Sequence, residues 1–221
     1  MDHRQKNLVD IAHYLMLHGS FINNIGLLNG KMGIVLFFFH YSRFTKCTRY
    51  ADFANCMLEE VYEDISKNTP KDFSNGLSGI AFGISYLVAK DFVKIDPDVF
   101  EELDAKMMEW DVDNISDYSL QTGLAGIGSY VLLRYNNEIG QSRLPMSYIN
   151  KLLVSLSESN DPLCLEIYRA IRYNSNVIEL MDKILYGSLP GDKMSKHIVN
   201  IGLDNGMAGV GLSKILKGNE K

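Results

Sequence analysis

A chain of 221 residues, 46% of them hydrophobic, carries enough apolar material to bury a core without staples. Its formal net charge of −5 offers no basic field for nucleic acid or an anionic membrane. The longest apolar stretch, Ile34 to Phe39, falls far short of the roughly 18 residues needed to cross a bilayer.

The first predicted element is a helix near the N-terminus, where Leu8, Ile11, Ala12 and Leu15 fall at helical spacing among charged neighbours. That pattern reads as an amphipathic outer helix and not as a signal peptide. The segment Leu28-Asn29-Gly30-Lys31-Met32-Gly33-Ile34 follows and leads into Val35-Leu36-Phe37-Phe38-Phe39. A helix apolar on every face is a buried one. From Tyr50 to Ser66, Phe53, Met57, Val61 and Ile65 form a single stripe against Glu59, Glu60, Glu63 and Asp64, which predicts another outer helix.

The glycine pattern then returns, as Ser74-Asn75-Gly76-Leu77-Ser78-Gly79-Ile80, Gln121-Thr122-Gly123-Leu124-Ala125-Gly126-Ile127 and Asp204-Asn205-Gly206-Met207-Ala208-Gly209-Val210. Its first glycines are 46, 47 and 83 residues apart, so a degenerate fifth copy is expected around Pro162 to Tyr173. One-sided stripes from Asp98 to Trp110, Met146 to Leu156 and Ser175 to Tyr186 place outer helices between the copies. Asn29, Asn75, Thr122 and Asn205 have side-chain oxygens suited to capping the helices that follow. The paired glycines, three apart, share a helix face and admit a close neighbour, so Gly79 is expected to be packed. The fold class is therefore all-α, about five helical hairpins forming an α/α toroid or partial toroid, with the N-terminal helix counted as the first outer one.

An Asn-Gly-x-x-Gly-Ile unit opening an inner helix about every 45 residues resembles the lanthionine synthetase C-like family, from Gly26-Leu27-Leu28-Asn29-Gly30 to Gly206-Met207-Ala208-Gly209-Val210-Gly211-Leu212. The resemblance implies one toroid domain over residues 1–221 and a role in peptide modification or maturation. In active members it also implies a zinc ion that deprotonates a peptide cysteine for addition to a dehydrated serine or threonine. The ligands there are a cysteine and a Cys-His pair placed immediately before glycines of later repeats. Here those places hold Leu28-Asn29, Ser74-Asn75, Gln121-Thr122 and Asp204-Asn205, so no zinc or other cofactor is expected unless an unrecognised site exists. A zinc-free peptide-binding or accessory protein is the resulting expectation, with a peptide or small molecule in the central cavity.

The remaining chemistry is sparse. Three cysteines, Cys47, Cys56 and Cys164, form no Cys-x-x-Cys pair and point to a reducing, cytoplasmic setting. Cys164, in the degenerate copy, reads as a buried structural thiol. His13 and His18 are five apart, off the spacing of a helical metal site, and His40 and His197 stand alone. Asp72, Asp117 and Asp204 recur shortly before inner helices, and in a toroid they would join Asn29, Asn75, Thr122 and Asn205 at the cavity rim. Paired rim carboxylates are what a carbohydrate-active enzyme of α/α-toroid type uses, which makes that class the alternative. Tyr41, Tyr86, Tyr118, Tyr130 and Trp110 read as core, or as the wall of a sugar or peptide groove. An open arc would leave one end for a protein partner or a second copy.

Overall fold

The computed structural model describes residues 3–135, 144–190 and 200–217. Ten α-helices occur among them: α1 (His3–His18), α2 (Lys31–Thr45), α3 (Thr48–Glu63), α4 (Leu77–Ala89), α5 (Pro97–Met108), α6 (Leu124–Tyr135), α7 (Met146–Glu158), α8 (Pro162–Tyr173), α9 (Val177–Gly187) and α10 (Met207–Leu216). The two kinds of helix alternate as their sequences require. Every residue of α4 from Leu77 to Leu87 is buried, as is every residue of α6 from Leu124 to Arg134 and of α2 from Lys31 to Phe39. The outer helices bury one stripe each, Leu8, Ile11, Ala12 and Leu15 in α1 and Ala54, Met57 and Val61 in α3. The expected degenerate copy is present as α8, but it buries only Cys164, Ile167, Ala170 and Ile171, because Glu166, Arg169 and Arg172 occupy its other faces.

The chain divides into two compact units, residues 1–69 with 185–221, and residues 70–184. In the first unit α2 packs against α3, and α10 packs against both α2 and α1. In the second, α6 lies against α4 and α8, while α5 covers α4 and α7 covers α6 and α8. The outer helix follows the inner helix it covers in α2–α3 and α4–α5, whereas α7 covers both α6 before it and α8 after it. The expected outer-then-inner pairing holds for α7 with α8, which are separated by three residues, and is corrected for α1, which packs on α10. Connection length explains the difference. Only Lys46 and Cys47 separate α2 from α3, which forces them together as antiparallel neighbours. The longer stretch from Gly19 to Gly30 lets α1 travel elsewhere.

Within the second unit, a buried ion pair ties outer helix to inner. Asp104 of α5 receives Arg134 Nη2 at 3.0 Å and Nε at 3.2 Å, and the Tyr130 hydroxyl donates to the same carboxylate. Arg134 is 2% exposed and lies over the Phe100 ring at 4.3 Å, which shields the pair from water.

Candidate functional site

The residues singled out in the sequence stand on the loops that open the inner helices, and all four legible loops share one construction. The first helical N–H donates to a carbonyl seven residues upstream: Lys31 to Asn24 (2.8 Å), Leu77 to Pro70 (2.8 Å), Leu124 to Asp117 (2.8 Å) and Met207 to Asn200 (3.1 Å). The next N–H repeats the step in three of them, Met32 to Ile25, Ser78 to Lys71 and Ala208 to Ile201. Donors that a helix start leaves orphaned are thus met by main chain. Capping by Asn29, Asn75, Thr122 and Asn205 is therefore corrected. The N-cap residues of α2, α4 and α10 are Gly30, Gly76 and Gly206, none with a side-chain cap. At Gly30, Gly76 and Gly123 a Cβ would overlap the carbonyl of Asn24, Pro70 or Asp117, so glycine is required there for the close approach of that loop.

The second glycines serve the junction between repeats. A Cβ on Gly126 of α6 would stand 2.6 Å from its own loop's Leu120 carbonyl and 2.8 Å from Phe73 Cβ in the loop before α4. In the other unit, Gly33 of α2 meets its own Leu27 carbonyl and Leu203 of the loop before α10 in the same manner. Main-chain bonds repeat the parallel: Ser74 N donates to Gln121 O (3.1 Å), and Asp204 N donates to Leu28 O (2.9 Å). Gly79, equivalent in position, is buried in α4.

In the second unit this brings the Asp72–Asn75 loop beside the Asp117–Thr122 loop. Asp72 Oδ1 accepts from Asn75 N at 2.7 Å, while Asp117 accepts from Ser119 N at 2.8 Å and from the Thr122 hydroxyl at 2.5 Å. The Thr122 hydroxyl and the Ser119 amide hold the Asp117 carboxyl below the usual carboxylate range. In the first unit Asn200 Nδ2 donates to Asn29 Oδ1 and to the Asp204 carbonyl, both at 2.9 Å, and Asn205 Nδ2 donates to Asp204 Oδ1. Asn205 takes the left-handed conformation (φ 47°) that asparagine tolerates best among ordinary residues. Sequence reading missed Asn200 and Ser119, and named Gln121 only as part of the motif. Only spacing marked the loop starts: Asn24, Pro70, Asp117 and Asn200 all stand six before a first glycine, but no side-chain type is common to all four.

The degenerate copy shows what replaces the glycines. Aligned on the helix start, Asp161 takes the first glycine's place and Cys164 the second's. Asp161 Oδ1 accepts from Cys164 N at 2.9 Å, a side-chain cap where the other copies use main chain, and Pro162 fits the first helical position because it has no N–H to satisfy. The Cys164 thiol donates to the Tyr118 carbonyl of the preceding copy's loop at 3.4 Å, and burial pushes its pKa up to about 11. It is a packed, protonated thiol, as the sequence suggested. Tyr41, Tyr86 and Tyr130 are fully buried core, whereas Tyr118 and Trp110 are half-buried. His197 lies outside the described residues.

A zinc ion of the kind implied by the resemblance needs thiolate and imidazole at the two positions before these glycines, and the four pairs there contain neither. Among the described residues no three His, Cys, Asp or Glu side chains gather as a metal-holding group. The residues present do not fit the metal. No described helix is long and apolar enough to cross a membrane.

The family model described as lanthionine synthetase C-like protein matches residues 22–213. No curated protein and no solved structure matches the chain significantly. The match spans all four glycine loops and α8 between them, so the repeat, its all-helical build and its loop construction have one origin: the chain belongs to the lanthionine synthetase C-like family.

Proposed function

We propose that the chain acts in peptide modification or maturation as a zinc-free, peptide-binding or accessory member of its family. The observation that carries this reading is the replacement of ligand-bearing pairs by Asn29, Asn75, Thr122 and Asn205, amides and a hydroxyl that bond to peptides but do not make a thiolate. Asn75, Thr122, Asp204 and Asn205 stand at least partly open to solvent on loops that main-chain bonds hold fixed, which suits recognition of an extended chain. The three thiols, all unpaired, suit a cytoplasmic setting. A glycosidase reading gains nothing from Asp117, since a carboxyl held below its usual range does not keep the proton an acid catalyst must give.

The test is metal analysis of the purified protein beside titration with a peptide carrying one cysteine and one dehydrobutyrine. Saturable binding, weakened in Asn29→Ala and Thr122→Ala, with no thiol consumption above the uncatalysed rate, is the expected result. Stoichiometric zinc abolished by Cys164→Ala, or thioether formation, would overturn the zinc-free reading.

A further inference from the structure

Outside the glycine loops, the second unit holds a cleft of about 400 Å³ between α8 and α9, within the size range of ligand pockets. Buried Ala170 and Leu180 face it from its two helices, and the Ser175–Asn176 turn closes one end. Asn174 and Asn176, both in the left-handed conformation, shape that turn, and Ser175 N donates to Ala170 O at 3.2 Å.

The walls carry polar groups at matching positions, Glu166, Arg169 and Tyr173 on α8 against Glu179 and Lys183 on α9 and Asn176 just before it. One rung is closed, with Lys183 Nζ on Glu166 Oε2 at 2.5 Å. The next is open. Arg169 and Glu179 form no ion pair with each other or with another described residue, and the cleft lies between them. An occupant that joins the two walls must offer an acceptor to Arg169 and a donor to Glu179, beside an apolar group for Ala170 and Leu180. A peptide backbone supplies both polar groups within one residue, and its side chain supplies the third.

We infer that this cleft docks a short extended peptide segment, whose carbonyl is received by Arg169, whose N–H is received by Glu179 and whose apolar side chain rests on Ala170 and Leu180. Tyr173, 71% exposed at the turn, offers its ring to the residue that follows. The inference rests on the peptide-binding reading above and gives it a second location, apart from the glycine loops.

Isotope-labelled protein titrated with the same cysteine and dehydrobutyrine peptide separates the two. Resonance shifts at Ala170, Asn176 and Leu180 are expected, with affinity lowered about tenfold in Arg169→Ala and in Glu179→Ala. Both residues are exposed, so the variants should keep the wild-type melting temperature. Binding at wild-type affinity in both variants, with shifts confined to the glycine loops, overturns the cleft and leaves the peptide reading standing. Absence of any peptide binding overturns both, and cleft shifts that follow protein concentration alone overturn the cleft by assigning it to a second copy.

Discussion

Cys164 shows how far one buried group can be read. With its pKa pushed up to about 11 by burial, it should resist iodoacetamide at pH 8 while exposed Cys56 is modified, and become reactive only in denaturant; peptide mass mapping checks this. Stability should respond in the alkaline range. An unfolded thiol ionises near pH 8.5 and the folded one at about 11, so the folded form keeps a proton that the unfolded form has released. The contribution is complete below about pH 8.5 and is lost as pH rises towards 11. Urea midpoints measured across that interval should fall less steeply in Cys164→Ala than in the wild type. The Asp104–Arg134 pair makes a different demand. Asp104→Ala leaves a guanidinium buried without its partner and should cost about 3–5 kcal/mol by urea denaturation, while the double variant Asp104→Leu with Arg134→Met should recover much of that loss.

At the scale of the element, the glycines divide into those that make room and those that do not. A Cβ at Gly209 of α10 would overlap the Leu203 carbonyl and come within 2.8 Å of Pro190, whereas at Gly187 of α9 it would meet nothing within 4 Å. Gly209→Ala should therefore destabilise by about 1–3 kcal/mol, and Gly187→Ala should be neutral or stabilise by up to about 1 kcal/mol. Denaturant midpoints at unchanged m-value check both signs. The helices themselves were legible, because their apolar periodicity is a property of each segment: the stripe from Met146 to Leu156 lies within α7, and the expected copy from Pro162 to Tyr173 is α8. Their caps were not. A carbonyl seven residues back leaves no side-chain signature, so Asn29 and its equivalents invited a role that Asn24, Pro70, Asp117 and Asn200 perform through main chain.

For the molecule as a whole, the pairing of α1 with α10 lay beyond sequence reading because no local pattern joins residues so distant along the chain. Leu203 on Gly33 and Phe73 on Gly126 show that α10 meets α2 as α4 meets α6. The last copy therefore stabilises the first. A chain ending before Asn200 should lose hydrogen-exchange protection in α1 and α2 while the amides of α6 and α8 keep theirs. Equal loss in both units would show that the effect of α10 is not confined to its own unit. The candidate site was legible as a set of loops and not as a set of bonds: Asp117 and Thr122 were both named, yet their mutual hydrogen bond depends on how residues 117–123 fold back on themselves.

The remote main-chain cap has a consequence for how such a family can diverge. Because carbonyls hold the loop to its helix, the side chain immediately before each glycine is not needed as a helix cap. Asparagine and threonine already stand there on the same mount. Chemistry can be lost at those positions by substitutions that leave the main-chain cap in place.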